Sequence, residues 1–266
     1  MTARILHVSD LHVGRREAPE PISALQGLAA QLGPELVLAT GDLAHRGKHA
    51  ELERARDILE GLGFPVLAIP GNHDIPYTFP ARFTRPFEDW ERVFGPPEQE
   101  FTSERLVAVG LNSVRPWRQQ GGRLEEGRLQ QLAARLERAP AGALRVVALH
   151  HHLAAPPWRA ARKRPLHGRD RALRSFAEAG AELVAGGHVH QASIAERREF
   201  EVVEDGRVAS LVLATAPGLG RPRPRRSGEA LGVNVYEWDA ASLTVLTSAW
   251  DGRAFTEVGH RTFARR

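Results

Sequence analysis

Continuous apolar runs alternate with amphipathic stretches through the first two-thirds of the chain. Arg4–Ser9 is a short β-branched and apolar run, and helical spacing follows over Ile22–Leu32. Glu35–Thr40 is apolar at successive positions, the pattern of a strand covered on both faces. Over His49–Leu62 the residues Leu52, Ala55, Leu59 and Leu62 recur at helical spacing. Gly61 and Gly63 end that helix before the next strand, Pro65–Ile69. The series reads β-α-β-α-β, for which parallel pairing is the expected outcome.

Prolines at 76, 80, 86, 96 and 97 break up the following stretch, where Pro86–Phe94 reads as a short helix. Leu106–Leu111, Arg145–Leu149 and Glu182–Ala185 read as strands; Leu124–Arg138 and Arg171–Ala179 read as helices. After residue 190 the helical pattern stops. Strands are predicted at Glu199–Val203, Val208–Ala214, Gly232–Trp238, Leu243–Ala249 and Phe255–Val258. No linker or repeat marks the change, so the sequence predicts one two-sheet α/β domain over residues 1–266.

Composition narrows the chemistry. The chain has 266 residues, 42% hydrophobic and 26% charged, enough for a sizeable core. No apolar run approaches the roughly 18 residues a membrane helix needs, and the N-terminus is too short and polar for a signal peptide. A cytoplasmic setting is the expectation. The absence of cysteine excludes disulfides, thiolate metal sites and cysteine nucleophiles. A net charge of +4 invites a nucleic-acid reading, but Lys48 and Lys163 are the only lysines among 36 basic residues. Such arginine skew is as much a coding bias as a binding surface.

Five segments, each after a predicted strand, concentrate Asp, Asn and His. They are Asp10-Leu11-His12, Gly41-Asp42, Gly71-Asn72-His73-Asp74, His150-His151-His152 and Gly186-Gly187-His188-Val189-His190. In open α/β sheets, ligands collect beyond the carboxyl ends of the strands. In an extended segment, residues i and i+2 share a side, so Asp10 with His12, and His188 with His190, each offer two ligands to one place. Carboxylate, imidazole and amide oxygen suit Mn, Fe, Zn or Co and are too rich in nitrogen for Ca or a dedicated Mg cage. Asp10, His12, Asp42, Asn72, His150, His188 and His190 are too many for one ion and fit two divalent ions sharing a carboxylate.

In these motifs and their order the chain resembles the calcineurin-like metallophosphoesterases, in pattern the bacterial class III cyclic nucleotide phosphodiesterases. The resemblance implies a four-layer α-β-β-α sandwich with two mixed sheets and a dinuclear site at the strand ends. Residues 1–190 would carry the ligand motifs, and 191–266 mainly second-sheet strands. One metal would take Asp10, His12 and His190; the other would take Asn72, His150 and His188; Asp42 would bridge. His150 is the family's ligand in the triple histidine, which leaves His151 and His152 as supporting or substrate-side residues.

Two cations about 3.5–4 Å apart clamp an in-line displacement at phosphorus, with a metal-bridging hydroxide as nucleophile. His73 is the candidate for protonating the departing alkoxide, with Asp74 orienting it. Gly41–Gly47 partly resembles the serine/threonine phosphatases, with His45 where those have aspartate; Arg46 is a candidate phosphate contact. The expected function is therefore a phosphodiesterase on a small substrate such as a cyclic nucleotide or glycerophosphodiester, as a monomer or homodimer. Ile5–Gly14 is also similar to the start of DNA-repair exonucleases. Those carry a further DNA-binding region, so nucleic acid is not the favoured substrate. A non-catalytic scaffold of the same fold is the alternative outside enzymes; the intact ligands argue against it.

Two basic clusters, Arg159, Arg162, Lys163, Arg164 and Arg221, Arg223, Arg225, Arg226, read as solvated loops or anion-attracting surface. The tryptophans at 90, 117, 158, 238 and 250 are spread out and most read as core, while Trp117 and Trp158 flank loops expected to cover the site.

Overall fold

A computed structural model of the chain describes residues 2–14, 17–118, 120–154, 165–198, 210–220 and 230–265. Both basic clusters, Trp158 and the predicted strand Glu199–Val203 lie outside the described residues. The elements run β1 (Ala3–Val8), α1 (Pro19–Leu32), β2 (Leu36–Ala39), α2 (His49–Glu60), β3 (Val66–Ala68), α3 (Ala81–Thr84) and α4 (Glu88–Phe94). Then come β4 (Glu100–Thr102), β5 (Leu106–Gly110), α5 (Glu126–Glu137), β6 (Leu144–Ala148), α6 (Arg169–Glu178) and β7 (Leu183–Gly186). The last are β8 (Ser193–Arg198), β9 (Ser210–Thr215), β10 (Gly232–Trp238), β11 (Ser242–Trp250) and β12 (Phe255–Ala264). Helix α1 begins three residues before its apolar pattern because Pro19 and Pro21 suit a first turn, where no N–H partner is needed.

The strands form two six-stranded mixed sheets, ordered β12-β11-β10-β1-β2-β3 and β4-β5-β6-β7-β9-β8. Strands β1, β2 and β3 are parallel neighbours, as are β6 and β7. Leu36 and Leu38 point into the core between the sheets, with Ile5, Leu67, Leu106, Val146 and Leu183. Val37 and Ala39 point the other way, against Leu25 of α1 and Leu52 and Leu59 of α2. On the far side Leu129 and Leu132 of α5 and Phe176 of α6 cover Val147 and Val184. The layers are helix, sheet, sheet, helix. Burial on both faces accounts for the unbroken apolar runs, each large side chain contributing about 1.5–3 kcal/mol.

One expectation needs correction. The strands after residue 190 are not mainly second-sheet strands: β8 and β9 complete the second sheet, while β10, β11 and β12 extend the first. The physical reason is edge protection. The parallel strands β1 and β7 would each leave an unpaired edge; β10 covers one antiparallel, with Tyr236 opposite Ile5, and β9 covers the other. Strand β12 also runs on to Ala264, well past Val258.

This topology places five loops at one end of the molecule. Those after β1, β2 and β3 leave one sheet, and those after β6 and β7 leave the other. Asp10 N–H donates to Gly41 O at 2.9 Å, and Gly187 N–H to His150 O at 3.0 Å, so neighbouring loops are tied within each sheet.

Candidate metal centre

Among the described residues, the non-glycine positions with positive φ are Asp10 (52°), His12 (48°), Asp42 (51°), His188 (73°) and His190 (55°). All five are predicted ligands. The left-handed region is uncommon for any residue but Gly, although Asn, Asp and His enter it more often than others, and holding such a side chain there costs on the order of 1–3 kcal/mol. Asp10 and His12 do reach one place, but by turning out of the strand rather than by extended alternation. His188 and His190 diverge, each to a different group. Two glycines make room for these turns. A Cβ on Gly41 (φ +80°) would lie 2.4 Å from Gly71 N, and one on Gly187 would lie 1.9 Å from Ser9 Oγ.

The ligand atoms form two buried groups. In one, Asp10, His12 and His190 place donor atoms within 4.8 Å of one another; in the other, Asp42, His150 and His188 do the same. His190 Nε2 lies 3.2 Å from Asp10 Oδ1 and 3.4 Å from His12 Nε2. His150 Nε2 lies 3.1 Å from His188 Nδ1 and 3.3 Å from Asn72 Oδ1. Asp42 stands between the groups, with Oδ1 3.3 Å from His150 Nε2 and Oδ2 3.9 Å from His12 Nε2.

Hydrogen bonds from behind orient the donors. Asp10 Oδ2 accepts from Ser9 Oγ at 2.7 Å and His188 N–H at 2.9 Å. Its Oδ1, buried and without a hydrogen-bond donor, looks onto His12 and His190. His150 Nδ1–H donates to Thr40 O at 2.8 Å, which turns Nε2 toward Asp42, as metal-binding imidazoles require. Asp42 Oδ1 also accepts His73 N–H at 2.8 Å. Carboxylate, imidazole and amide oxygen converging in buried groups fit divalent transition-metal ions.

The charges are tightly balanced. Burial holds the His12 imidazole well below its usual range. Burial pushes the Asp42 carboxyl up, but the imidazoles of His150 and His73 outweigh it and hold it well below the usual carboxylate range. Burial opposes the charged form of His150 too, yet the Asp42 carboxylate raises it to about 9.

His73 occupies the mouth of the centre, its ring edge-on to that of His12 at 4.8 Å between centroids. Asp74 does not orient it. Asp74 Oδ1 accepts Ala44 N–H and Oδ2 accepts Gly71 N–H, each at 2.7 Å, so this carboxyl stitches the Asp42 and Asn72 loops together. Burial and the charge of Asp42 push it up to about 7. His73 Nδ1 instead lies 2.9 Å from His45 O and 2.7 Å from the Tyr77 hydroxyl. The exposed Arg46 sits over the Tyr77 ring, 6.0 Å from its centroid. His151 and His152 are fully buried behind the ligands. His151 Nδ1 pairs with Ser113 Oγ at 2.8 Å, and the His152 ring stacks on that of His188.

Sequence reasoning passed over His45 as a third imidazole beside His12 and His73, and over Tyr77, Ser9, Thr40 and Ser113. His45 had a signal, its place in the Gly41–Gly47 segment. Tyr77 and Ser113 had none, since their roles come from loop packing.

The chain belongs to the calcineurin-like phosphoesterase family, whose sequence pattern matches residues 3–192. It is similar to a probable cyclic nucleotide phosphodiesterase of Synechococcus sp., 34% identical over 164 residues that cover 57% of this chain and 58% of that protein. The glycerophosphodiester phosphodiesterase GpdQ of Enterobacter lignolyticus is 37% identical over 65 residues, covering 24% of this chain and 22% of that one. The chain thus spans little more than half the length of the first of these relatives. Among solved structures, the yellow lupin purple acid phosphatase PPD1 superposes with a TM-score of 0.73 at 12% identity, covering 100% of this chain and 54% of that one. GAP50, the anchor in the inner membrane complex of Plasmodium, does so with a TM-score of 0.66 at 12% identity, covering 100% of this chain and 89% of that one. At such identities the likeness shows the shared sandwich. Among the described residues, no helix is long and apolar enough to cross a membrane.

Proposed function

We propose that the centre holds two divalent cations and hydrolyses small phosphodiesters, such as a cyclic nucleotide or a glycerophosphodiester. The observation that carries this reading is Asp42, whose two oxygens face two separate groups of candidate ligands, an arrangement suited to a bridging carboxylate. Asp10, His12 and His190 would hold one ion, Asn72, His150 and His188 the other, and Asp42 both. Bound cations of the Mn, Fe, Zn or Co kind would supply Lewis acidity at the phosphoryl oxygens and an activated water for in-line displacement. The names of the similar proteins, a cyclic nucleotide and a glycerophosphodiester phosphodiesterase, support a diester substrate.

The chain's own residues do the rest. His73 donates Nδ1–H to His45 O, so Nε2 is the atom from which a proton reaches the leaving alkoxide. Asp74 keeps the Asp42 and Asn72 loops in register and acts as a positioning residue. Arg46, exposed at the mouth, draws in the phosphate. His151 and His152 steady the His188 ring from behind.

The test is a panel assayed with Mn-loaded protein: bis- and mono-nitrophenyl phosphate, cyclic nucleotides, glycerophosphodiesters and single-stranded DNA. Diesters are expected to be turned over well above the monoester. Monoester activity exceeding diester activity would overturn the diesterase reading, and dominant activity on DNA would reassign the chain to nucleases.

A further inference from the structure

Five large hydrophobic side chains are exposed among the described residues, and four of them gather beside the centre: Tyr77, Phe79, Phe83 and Trp117. They sit on two segments rooted in the site, one of which includes the short helix α3. That one leaves at His73, whose Nδ1 lies 2.7 Å from the Tyr77 hydroxyl. The other leaves at Ser113, which holds His151 at 2.8 Å. The segments meet where the Phe83 and Trp117 rings stack, 6.1 Å between centroids and 11° from parallel. Arg82, nearly buried between them, bolts the junction by donating Nε–H to Pro116 O at 2.8 Å and Nη1–H to Pro76 O at 2.9 Å.

Trp117 is 72% exposed and Phe79 81%. Leaving such area in water forgoes burial energy, so a cluster of it marks a contact surface. Because Arg82 fixes the junction, the pair of near-parallel rings presents a flat π-face at low entropic cost. An aliphatic headgroup gains little from such a face. A heteroaromatic base gains stacking, and the rim adjoins the centre because its Tyr77 hydroxyl contacts His73.

We propose that this rim determines specificity by stacking the nucleobase of a nucleotide diester, with Trp117 as its principal contact. The proposal deepens the diesterase reading and rests on it for the position of the phosphate. Base–aromatic stacking is typically worth about 1–3 kcal/mol per base, which is about fivefold to a hundredfold in affinity.

The experiment compares wild type with Trp117→Ala and Trp117→Tyr. The ratio of kcat/KM for a cyclic nucleotide to that for a glycerophosphodiester should fall about tenfold in Trp117→Ala, mainly through KM, and recover in Trp117→Tyr. Independently of turnover, adenosine monophosphate should quench tryptophan fluorescence in wild type but not in Trp117→Ala. An unchanged ratio, or quenching that survives the substitution, overturns the proposal. So does a wild-type dimer that Trp117→Ala converts to monomer, because the rim is then a subunit contact. If no diester is hydrolysed at all, the diesterase reading fails by itself, and the fluorescence titration still decides the stacking site.

Discussion

Asp42 and His150 form a buried pair across the two sheets, with the carboxylate Oδ1 3.3 Å from the imidazole Nε2. Because His150 Nδ1–H is committed to Thr40 O, the proton facing Asp42 is the one an incoming cation must displace. His150 is raised to about 9, above its ordinary 6.5, so the metal-free protein carries that proton at neutral pH. Cation uptake should therefore release protons, and affinity for Mn should climb up to tenfold per pH unit until about 9. Calorimetry in two buffers of different ionisation enthalpy measures the release; uptake without it contradicts the pairing.

His7 should make the fold acid-sensitive. Burial drives it from an ordinary 6.5 down to about 3. Its ring nitrogens pair with the Tyr236 hydroxyl at 2.6 Å and Thr40 Oγ1 at 2.8 Å. The folded state keeps His7 neutral while the unfolded state protonates it. Its contribution is thus full above 6.5 and is lost as pH falls from there toward about 3. The limiting slope is about 1.4 kcal/mol per pH unit. Denaturation of His7→Phe over this range should show a slope smaller by about one proton. The same variant should be weaker by about 1–3 kcal/mol near neutrality, because the Thr40 and Tyr236 hydroxyls each lose a hydrogen bond. An unchanged slope contradicts the assignment.

Asp74→Asn separates positioning from proton transfer. The two donors use different carboxyl oxygens, and the amide NH2 that replaces one of them cannot accept, so either Ala44 N–H or Gly71 N–H loses its bond. Thermal unfolding should show a loss of about 1–3 kcal/mol. Metal titration should show affinity reduced about 10–100-fold. Wild-type metal affinity in a destabilised variant would mean that the stitch supports the fold alone.

His73→Gln distinguishes an acid from a spectator. On diesters with an alkoxide leaving group, kcat should fall about 10²–10⁴-fold. On bis-nitrophenyl phosphate, whose leaving group needs no proton, the loss should stay within about tenfold. Equal losses on both would remove His73 from proton transfer.

Much of this fold is legible in the sequence where one element decides the pattern. Glu35–Thr40 and Arg145–Leu149 read as buried strands, and β2 and β6 form there, because helices and a second sheet cover both faces. Sheet membership after residue 190 is not legible, since β10 pairs with β1 across the length of the chain. The motifs read as metal-binding do follow strands, as their spacing suggests, but their backbone is not legible. Left-handed turns at His12, His188 and His190 go against local preference and are imposed by the packing of the surrounding loops. Asp74 lies beside His73 in sequence, yet its hydrogen bonds go to Ala44 and Gly71.

The central claim, two cations bridged by Asp42, is tested most directly by titrating metal-stripped protein with Mn while following bis-nitrophenyl phosphate hydrolysis and bound metal together. Activity should rise with the second equivalent and level at two ions per chain. In Asp42→Asn, occupancy should stay at one or below, with activity down at least about a hundredfold. Full activity at one ion per chain, or hydrolysis that persists in the stripped protein, would contradict that claim.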